Sequence, residues 1–83
     1  MQDLNDLYYF AKVAEKGSFA AAARSLGLPK SRLSRRGAML EAALGVRLLQ
    51  RTTRRLALTE VGKLYFRHAQ NEIAEADAAV EDV

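Results

Sequence analysis

The sequence contains no cysteine and only one histidine, His68, among its 83 residues. Without cysteine, neither a disulfide nor a thiolate metal site can form. With one histidine, we do not expect a catalytic triad or a histidine-based zinc site within one chain. The sequence also lacks a nucleophile with a nearby base, a carboxylate pair and a glycine-rich phosphate loop. We therefore predict no enzymatic activity, no catalytic residues, no cofactor and no metal.

The sequence also lacks a long hydrophobic segment. Its longest apolar run is far shorter than the roughly 20 residues that cross a bilayer, and no signal-peptide pattern opens the chain. A length of 83 residues corresponds to one domain with a modest core. We expect a cytoplasmic protein without membrane contact.

Charge is distributed unevenly along the chain. Residues 1–23 carry a net charge of −1, residues 24–67 carry +9 and residues 68–83 carry −5, which gives the overall +3. Nine of the eleven cations in the middle segment are arginines, which suit bidentate contacts with phosphate and guanine better than lysines do. This pattern indicates a local polyanion-binding surface, and a solvated charged surface is the alternative.

Helical periodicity begins near the N-terminus. Apolar residues predict an amphipathic helix over residues 4–16, which Gly17 ends in the left-handed conformation. Ser18 is the predicted N-cap of a second, alanine-rich helix, and Gly27 ends that helix.

A third helix is predicted over residues 29–44, because Pro29 is tolerated in a first helical turn and Gly45 follows as a terminator. At about 100° per residue, its two faces differ in character. The apolar face contains Leu33, Gly37, Leu40 and Leu44. The opposite face contains Ser31, Arg35, Ala38 and Ala42, flanked by Arg32 and Ser34. The second and third helices have the outline of a helix-turn-helix, in which the later helix enters a DNA groove.

Two β-prone runs follow, at residues 46–51 and 55–58, with a polar tip between them. Their hydrophobic pattern predicts a hairpin, although the tip lacks the usual Asn-Gly or Asp-Gly turn. A helix-turn-helix followed by a hairpin is a winged helix.

The C-terminal segment predicts one long helix, with Thr59 as N-cap and Glu60 in the first turn. Its apolar residues alternate at spacings of three and four, the pattern of a coiled-coil seam. They are Phe66, Ala69, Ile73, Ala76, Val80 and Val83. Because a helix of roughly 24 residues spans about 36 Å, we expect this seam to contact a second copy of the chain. Packing on the domain's own core is the alternative.

The predicted fold is mainly α. Residues 1–58 form a winged helix-turn-helix with a three-helix core and a hairpin wing, and residues 59–83 form a continuous linker and dimerisation helix. Because the chain stops inside this helix without a capping signal, we expect a piece of a longer protein.

Short motifs recur in a fixed order along the chain. They are Leu4-Asn5-Asp6-Leu7 with Phe10, Gly17-Ser18-Phe19, Ala21-Ala22-Ala23, Leu26-Gly27, Leu33-Ser34-Arg35-Arg36, Leu40-Glu41, Leu44-Gly45-Val46-Arg47-Leu48, Arg51-Thr52-Thr53-Arg54 and Leu58-Thr59 with Gly62. In this order and spacing they resemble the N-terminal DNA-binding domain of the LysR-type bacterial transcriptional regulators. The resemblance covers essentially the whole chain.

The resemblance implies a winged helix-turn-helix whose fourth helix pairs two subunits, and a tetramer is an option for the full-length protein. It implies a sequence-specific activator or repressor that binds a partly palindromic operator in double-stranded DNA. It also implies a C-terminal domain that senses a small-molecule effector. These 83 residues lack that domain, so we expect a fragment that binds DNA without responding to an effector.

The sequence departs from the family pattern in two places, at Gly37 and at the pair Pro29-Lys30. Gly37 stands where a branched aliphatic residue is usual, and glycine inside a helix costs roughly 1 kcal/mol relative to alanine. We therefore expect Gly37→Ile to stabilise the domain. Pro29 and Lys30 stand where a serine or threonine cap is common, which weakens the transfer of a family role to Lys30.

Arg35 is the first candidate for a base contact, because it faces outward and matches the family motif. A phosphate contact or a surface ion pair is its alternative. Ser31, Lys30 and Arg32 follow at the N-terminal end of the same helix. For Lys30 and Arg32 a phosphate contact is at least as strongly expected, since most protein–DNA hydrogen bonds go to the backbone.

The phosphate and wing candidates are Ser34, Ser18, Arg51, Arg54 and Arg55. Ser34 could instead bond to a carbonyl of its own helix, and Ser18 serves at least as a cap. Arg51 is expected at the DNA backbone, and Arg54 at the wing tip could enter a narrow minor groove.

The sequence leaves two arginines without an assigned role and allows a second function. Arg36 and Arg47 are left unassigned, because either could be solvated or ion-paired. A module whose wing and long helix bind a protein partner is the competing function.

Overall fold

The computed structural model describes residues 4–51 and 56–81. In chain order the elements are α1 (Leu4–Lys16), α2 (Phe19–Leu26), α3 (Lys30–Leu44), β1 (Leu49–Arg51), β2 (Leu56–Leu58) and α4 (Glu60–Glu81). The two strands pair antiparallel and the remaining elements are helices. The predicted mainly α, winged helix-turn-helix architecture is therefore confirmed.

The predicted boundaries of α2 are also confirmed. The Ser18 hydroxyl oxygen accepts a hydrogen bond of 2.9 Å from the Ala21 N–H, which satisfies a free donor at the helix start. At the other end Gly27 lies in the left-handed region, with φ of 69°, and its N–H donates to the Ala23 carbonyl. Glycine suits this conformation because it has no Cβ. The turn between α2 and α3 is thus short and defined by its residues.

The start of α3 differs by one residue from the prediction. Pro29 has extended backbone, with ψ of 139°, and is the N-cap; the first helical residue is Lys30. Pro29 offers no side-chain hydrogen bond to the helix start, so Lys30 and Ser31 lie in a first turn without a side-chain cap. The physical reason is that proline fixes φ but has no polar side chain.

The hydrophobic core lies where α1 contacts α2, α3 and α4. Its buried residues come from the three N-terminal helices and from the segment that enters the hairpin. They are Phe10, Val13, Ala22, Ala23, Leu33, Leu40, Leu48 and Leu49. Burial of a leucine stabilises the fold by roughly 1.5–3 kcal/mol, so this cluster fixes the position of α3.

The hairpin is shorter than predicted. Leu49 pairs with Leu58 and Arg51 pairs with Leu56, whereas residues 46–48 are not strand. This segment is held differently, because the Leu48 N–H donates to the Glu41 carboxylate at 2.7 Å instead of to a neighbouring strand. The predicted tip, and Arg55 at the predicted start of the second strand, lie outside the described residues.

The start of α4 is packed closely against the hairpin base. The Thr59 hydroxyl accepts from the Gly62 N–H at 2.9 Å and donates to the Arg47 carbonyl at 2.7 Å. The predicted N-cap is therefore confirmed. Gly62 is buried, and a Cβ there would clash with the Leu48 carbonyl. A side chain at this position would force α4 away from the domain.

The apolar seam of α4 divides into two parts. Ala69 is 0% exposed and packs with Leu7 and Ala11 of α1. The expected contact of Ala69 with a second copy is therefore wrong, because the residue is already buried within a single chain. Phe66 and Ile73 are partly buried against the same cluster.

The later part of the seam remains open. Ala76 is exposed and Val80 is 76% exposed, and their role in dimerisation stays a prediction. Val83 lies outside the described residues. Within residues 4–51 and 56–81, no helix combines the length and the apolar character needed to cross a membrane.

Candidate nucleic-acid interface

The outward side of α3 carries the four residues predicted to contact base edges. Lys30, Ser31, Arg32 and Arg35 are all exposed, while Leu33 on the opposite side is 1% exposed. The predicted orientation of the helix is therefore what the structure shows. Three cations and a hydroxyl are presented together on one rigid helix, and α helices of this diameter fit the major groove of B-form DNA.

Two serines border this surface in different ways. Ser34 is half-buried, and its hydroxyl makes no hydrogen bond to another described residue, so the alternative of bonding to its own helix is not observed. Ser18 uses its hydroxyl oxygen as the α2 cap, and its hydroxyl hydrogen remains able to donate to a phosphate.

Arg36 points in another direction from Arg35. Its Nε lies 3.1 Å from the Asp6 carboxylate of α1, and its guanidinium carbon lies 5.8 Å from the Tyr9 ring centroid. The Nε and Asp6 Oδ1 are not aligned as a hydrogen bond, so the contact is an ion pair. Arg36 therefore joins α3 to α1 and does not belong to the outward surface.

Arg51 lies at the end of β1, beside the helix-turn-helix. Its guanidinium carbon is 5.1 Å from the centroid of the Phe19 ring, within the range of a cation–π interaction. The contact orients an exposed arginine next to α2 and α3. Arg54 and Arg55 lie outside the described residues, and their wing contacts stay predictions.

Glu41 supports this interface, and the sequence did not indicate its role. One oxygen of its carboxylate accepts from the Leu48 N–H at 2.7 Å and from the Leu49 N–H at 3.1 Å. These two charge-assisted hydrogen bonds tie the hairpin entry to the last turns of α3. The available signal was that Glu41 is one of two acidic residues in the basic segment 24–67.

Tyr65 is a second residue whose environment the sequence did not reveal. Its hydroxyl is buried without a hydrogen-bond partner among the described residues. Burial, followed by the negative charge of Asp6, raises the pKa of Tyr65 above its usual 10.0. Asp6 thus contacts Arg36 of α3 and also affects a side chain of α4.

The chain matches the family model described as "Bacterial regulatory helix-turn-helix protein, lysR family" over residues 4–63. It is 57% identical to an HTH-type transcriptional regulator of Xanthomonas campestris pv. campestris, with 94% of this chain and 24% of the relative covered. It is 54% identical to the HTH-type transcriptional regulator PtxR of Pseudomonas aeruginosa, with 98% and 26% covered. The fold and these matches define a winged helix-turn-helix transcription factor domain.

The chain belongs to the LysR family of bacterial regulatory helix-turn-helix proteins. Its structure is similar to that of the BenM DNA-binding domain, solved in complex with catB site 1 DNA. That comparison has a TM-score of 0.93 at 34% identity and covers 96% of this chain and 89% of the other. The chain spans about a quarter of the length of the curated relatives it matches, whose names are those of transcriptional regulators.

Proposed function

We propose that this chain is the DNA-binding part of a bacterial transcriptional regulator that binds a partly palindromic operator as a homodimer. α3 lies in the major groove, and the hairpin wing lies near the adjacent minor groove. The observation that supports this most strongly is the exposed basic side of α3, on a helix whose other side is fixed in the core. The similar BenM domain was solved in complex with DNA, which supports the DNA-binding part of this proposal.

In this proposal the exposed side of α3 reads bases. Arg35 makes a bidentate contact with a guanine, because its guanidinium fork matches the guanine O6 and N7 acceptors. Ser31, Lys30 and Arg32 contact base edges or phosphates at the N-terminal end of the helix. Ser34, Ser18 and Arg51 contact the backbone, and Arg54 and Arg55 extend the interface along the wing.

Residues 1–58 supply the DNA-binding unit, and residues 59–83 supply the linker and dimerisation helix. The exposed part of the α4 seam, with Ala76 and Val80, supports pairing with a second copy. In the full-length regulator a C-terminal domain would sense a small-molecule effector, and two dimers could form a tetramer. The protein would act in the bacterial cytoplasm, associated with the nucleoid.

Selection from a pool of random duplexes, followed by sequencing, tests the function directly. We expect enrichment of two related half-sites whose centres lie about 10 base pairs, or a multiple of that, apart. Binding should weaken steeply as salt increases, because phosphate contacts release counterions. Failure to enrich any sequence would contradict sequence-specific binding.

The same enriched duplex tests the dimer. Val80→Glu places a charge in the proposed seam and should weaken binding to the full site while leaving a single half-site unaffected. Ala79→Glu adds the same charge at a neighbouring exposed position outside the seam and serves as the control. Equal effects of the two substitutions would contradict dimerisation through the seam.

Binding of a protein partner is the second candidate function, and exposed apolar residues of α4 support it. Leu64 is 62% exposed and Val61 is 45% exposed. If this were the main function, duplex binding would be weak and would not differ between enriched and random sequences.

A further inference from the structure

A groove on the surface separates α3 from the entry to the hairpin. It is lined by Ala38, Glu41, Ala42, Gly45, Val46, Arg47 and Arg51. Ala38 and Ala42 belong to the outward side of α3, so the groove borders the proposed base-reading surface. Because these two side chains are small, an extended polymer can approach the helix backbone closely here.

The groove is positively charged at its rim. Arg47 and Arg51 are both exposed, and the Arg47 guanidinium forms no ion pair or hydrogen bond with any residue in 4–51 or 56–81. The one acidic residue in the lining is Glu41, and its Oε2 already accepts two backbone N–H groups. The free donors of this groove are therefore cationic and suited to a phosphate.

The backbone of Arg47 is held firmly although its side chain is free. The Arg47 carbonyl accepts a hydrogen bond from the Thr59 hydroxyl at 2.7 Å. The next residue, Leu48, donates its N–H to the Glu41 carboxylate. The Leu48 carbonyl accepts from the Thr59 N–H at 3.0 Å. The side chain thus extends from a fixed backbone position, so phosphate binding does not require the backbone to be ordered there.

We infer that this groove holds the sugar-phosphate strand that separates the two DNA grooves, and that Arg47 is a phosphate-binding residue beside Arg51. The inference rests on the proposed function. If α3 lies in the major groove and the hairpin in the adjacent minor groove, the intervening strand must pass between α3 and the hairpin. Arg47 and Arg51 lie along that path, and sequence patterns alone had left Arg47 unassigned.

Salt dependence of binding to a mixed-sequence duplex tests the assignment. For Arg47→Ala we expect the slope of log affinity against log salt to fall by about 0.9, the contribution of one phosphate contact. Arg47→Lys should restore most of the slope because it keeps the charge. Arg67→Ala is the matched control, since Arg67 is an exposed arginine of α4 outside this groove, and its slope should not change.

Neutral methylphosphonates at single positions of the enriched duplex locate the contact. On the strand between the two grooves, one such replacement should weaken wild-type binding about two- to fivefold and should weaken Arg47→Ala binding no further. Equal losses for the two proteins at every position, or an altered base preference in Arg47→Ala, would overturn the phosphate assignment.

The two proposals fail in different ways. If wild-type protein enriches a duplex but Arg47→Ala behaves as Arg67→Ala does, the proposed function stands and the inference about Arg47 is wrong. If wild-type protein binds no duplex, both are wrong.

Discussion

On the inner side of α3, Leu33 and Leu40 are 1% and 2% exposed and belong to the main core cluster. On its outer side Ser31, Arg35 and Ala38 are exposed. Close packing fixes the inner side, where removal of a buried methylene costs free energy of unfolding. The outer side has no such constraint, so substitutions there should change binding without changing stability.

Arg35 and Arg36 show how narrow the boundary between these sides is. They are adjacent in sequence, yet Arg35 is exposed while Arg36 is half-buried and lies 3.1 Å from Asp6. A rotation of about 100° between consecutive residues separates a side chain available to DNA from one that connects helices. Net charge alone therefore overstates the number of cations available for DNA.

Among the buried positions, the largest effect on stability is expected at Gly62, where α4 meets the hairpin base. The Cβ of Gly62→Ala would clash with the Leu48 carbonyl oxygen and lie 2.9 Å from its carbonyl carbon. Because backbone atoms must move, we expect a loss of about 3 kcal/mol in the free energy of unfolding. Urea unfolding followed by circular dichroism measures it. Stability equal to wild type would show that α4 can shift without cost.

On the outer side, Arg35→Ala should weaken binding to the enriched duplex by about 1–3 kcal/mol and relax the preference at one base position. Its midpoint of urea unfolding should match that of wild type, because the side chain is exposed. Fluorescence anisotropy with matched and single-mismatch duplexes checks the binding, and Arg67→Ala controls for loss of one positive charge. An unchanged base preference would contradict the base-reading role.

The third prediction concerns Glu41, which is part of α3 and also holds the entry to the hairpin in place. Glu41→Ala leaves the Leu48 and Leu49 N–H groups without their acceptor, which should cost about 1–3 kcal/mol of stability. Denaturant unfolding measures the loss, with exposed Glu75→Ala as the charge-matched control. Equal stability of the two variants would show that water replaces the carboxylate.

Gly37 should give a smaller effect of opposite sign. A Cβ there would lie 3.5 Å from two carbons of the Phe19 ring, an ordinary contact. Gly37→Ala should therefore stabilise the domain by about 0.5–1 kcal/mol through reduced backbone entropy in the unfolded state. The sequence suggested that Gly37→Ile would stabilise the domain. The structure makes a smaller gain in stability the expected result, because the adjacent cavity is only ≈ 10 Å³. The melting temperatures of the two variants test this: Gly37→Ala should melt above wild type, and a higher melting temperature for Gly37→Ile than for Gly37→Ala would show that the larger side chain is accommodated.

Sequence periodicity predicted the helices and the outward side of α3 because each repeat reports which residues of one helix share a face. Caps such as Ser18 and Thr59 were predictable for a related reason, since capping requires particular residue types at fixed positions. The helices, their faces and their caps could therefore be predicted from the local sequence pattern.

Contacts between residues that are separated in sequence could not be predicted in this way. The bonds from Leu48 and Leu49 to Glu41 span seven and eight residues, and the Arg36–Asp6 pair joins two helices. The seam of α4 showed the same limit. Its spacing identified an apolar stripe but not whether Ala69 would contact α1 or a second chain, because both choices satisfy one periodicity.

The smallest expected effect concerns Tyr65 of α4, whose buried hydroxyl lies beside the apolar cluster between α1 and α4. Burial and the charge of Asp6 raise its pKa above 10.0, so the unfolded chain loses this proton at a lower pH than the folded chain does. Stability linked to Tyr65 is therefore fully present below pH 10 and falls as the pH rises through the folded pKa. Tyr65→Phe should reduce this alkaline decline and should not lower stability at neutral pH, because removal of the hydroxyl breaks no hydrogen bond among the described residues. Urea unfolding of both proteins between neutral and alkaline pH measures the difference, and parallel pH profiles would show that other groups cause the decline.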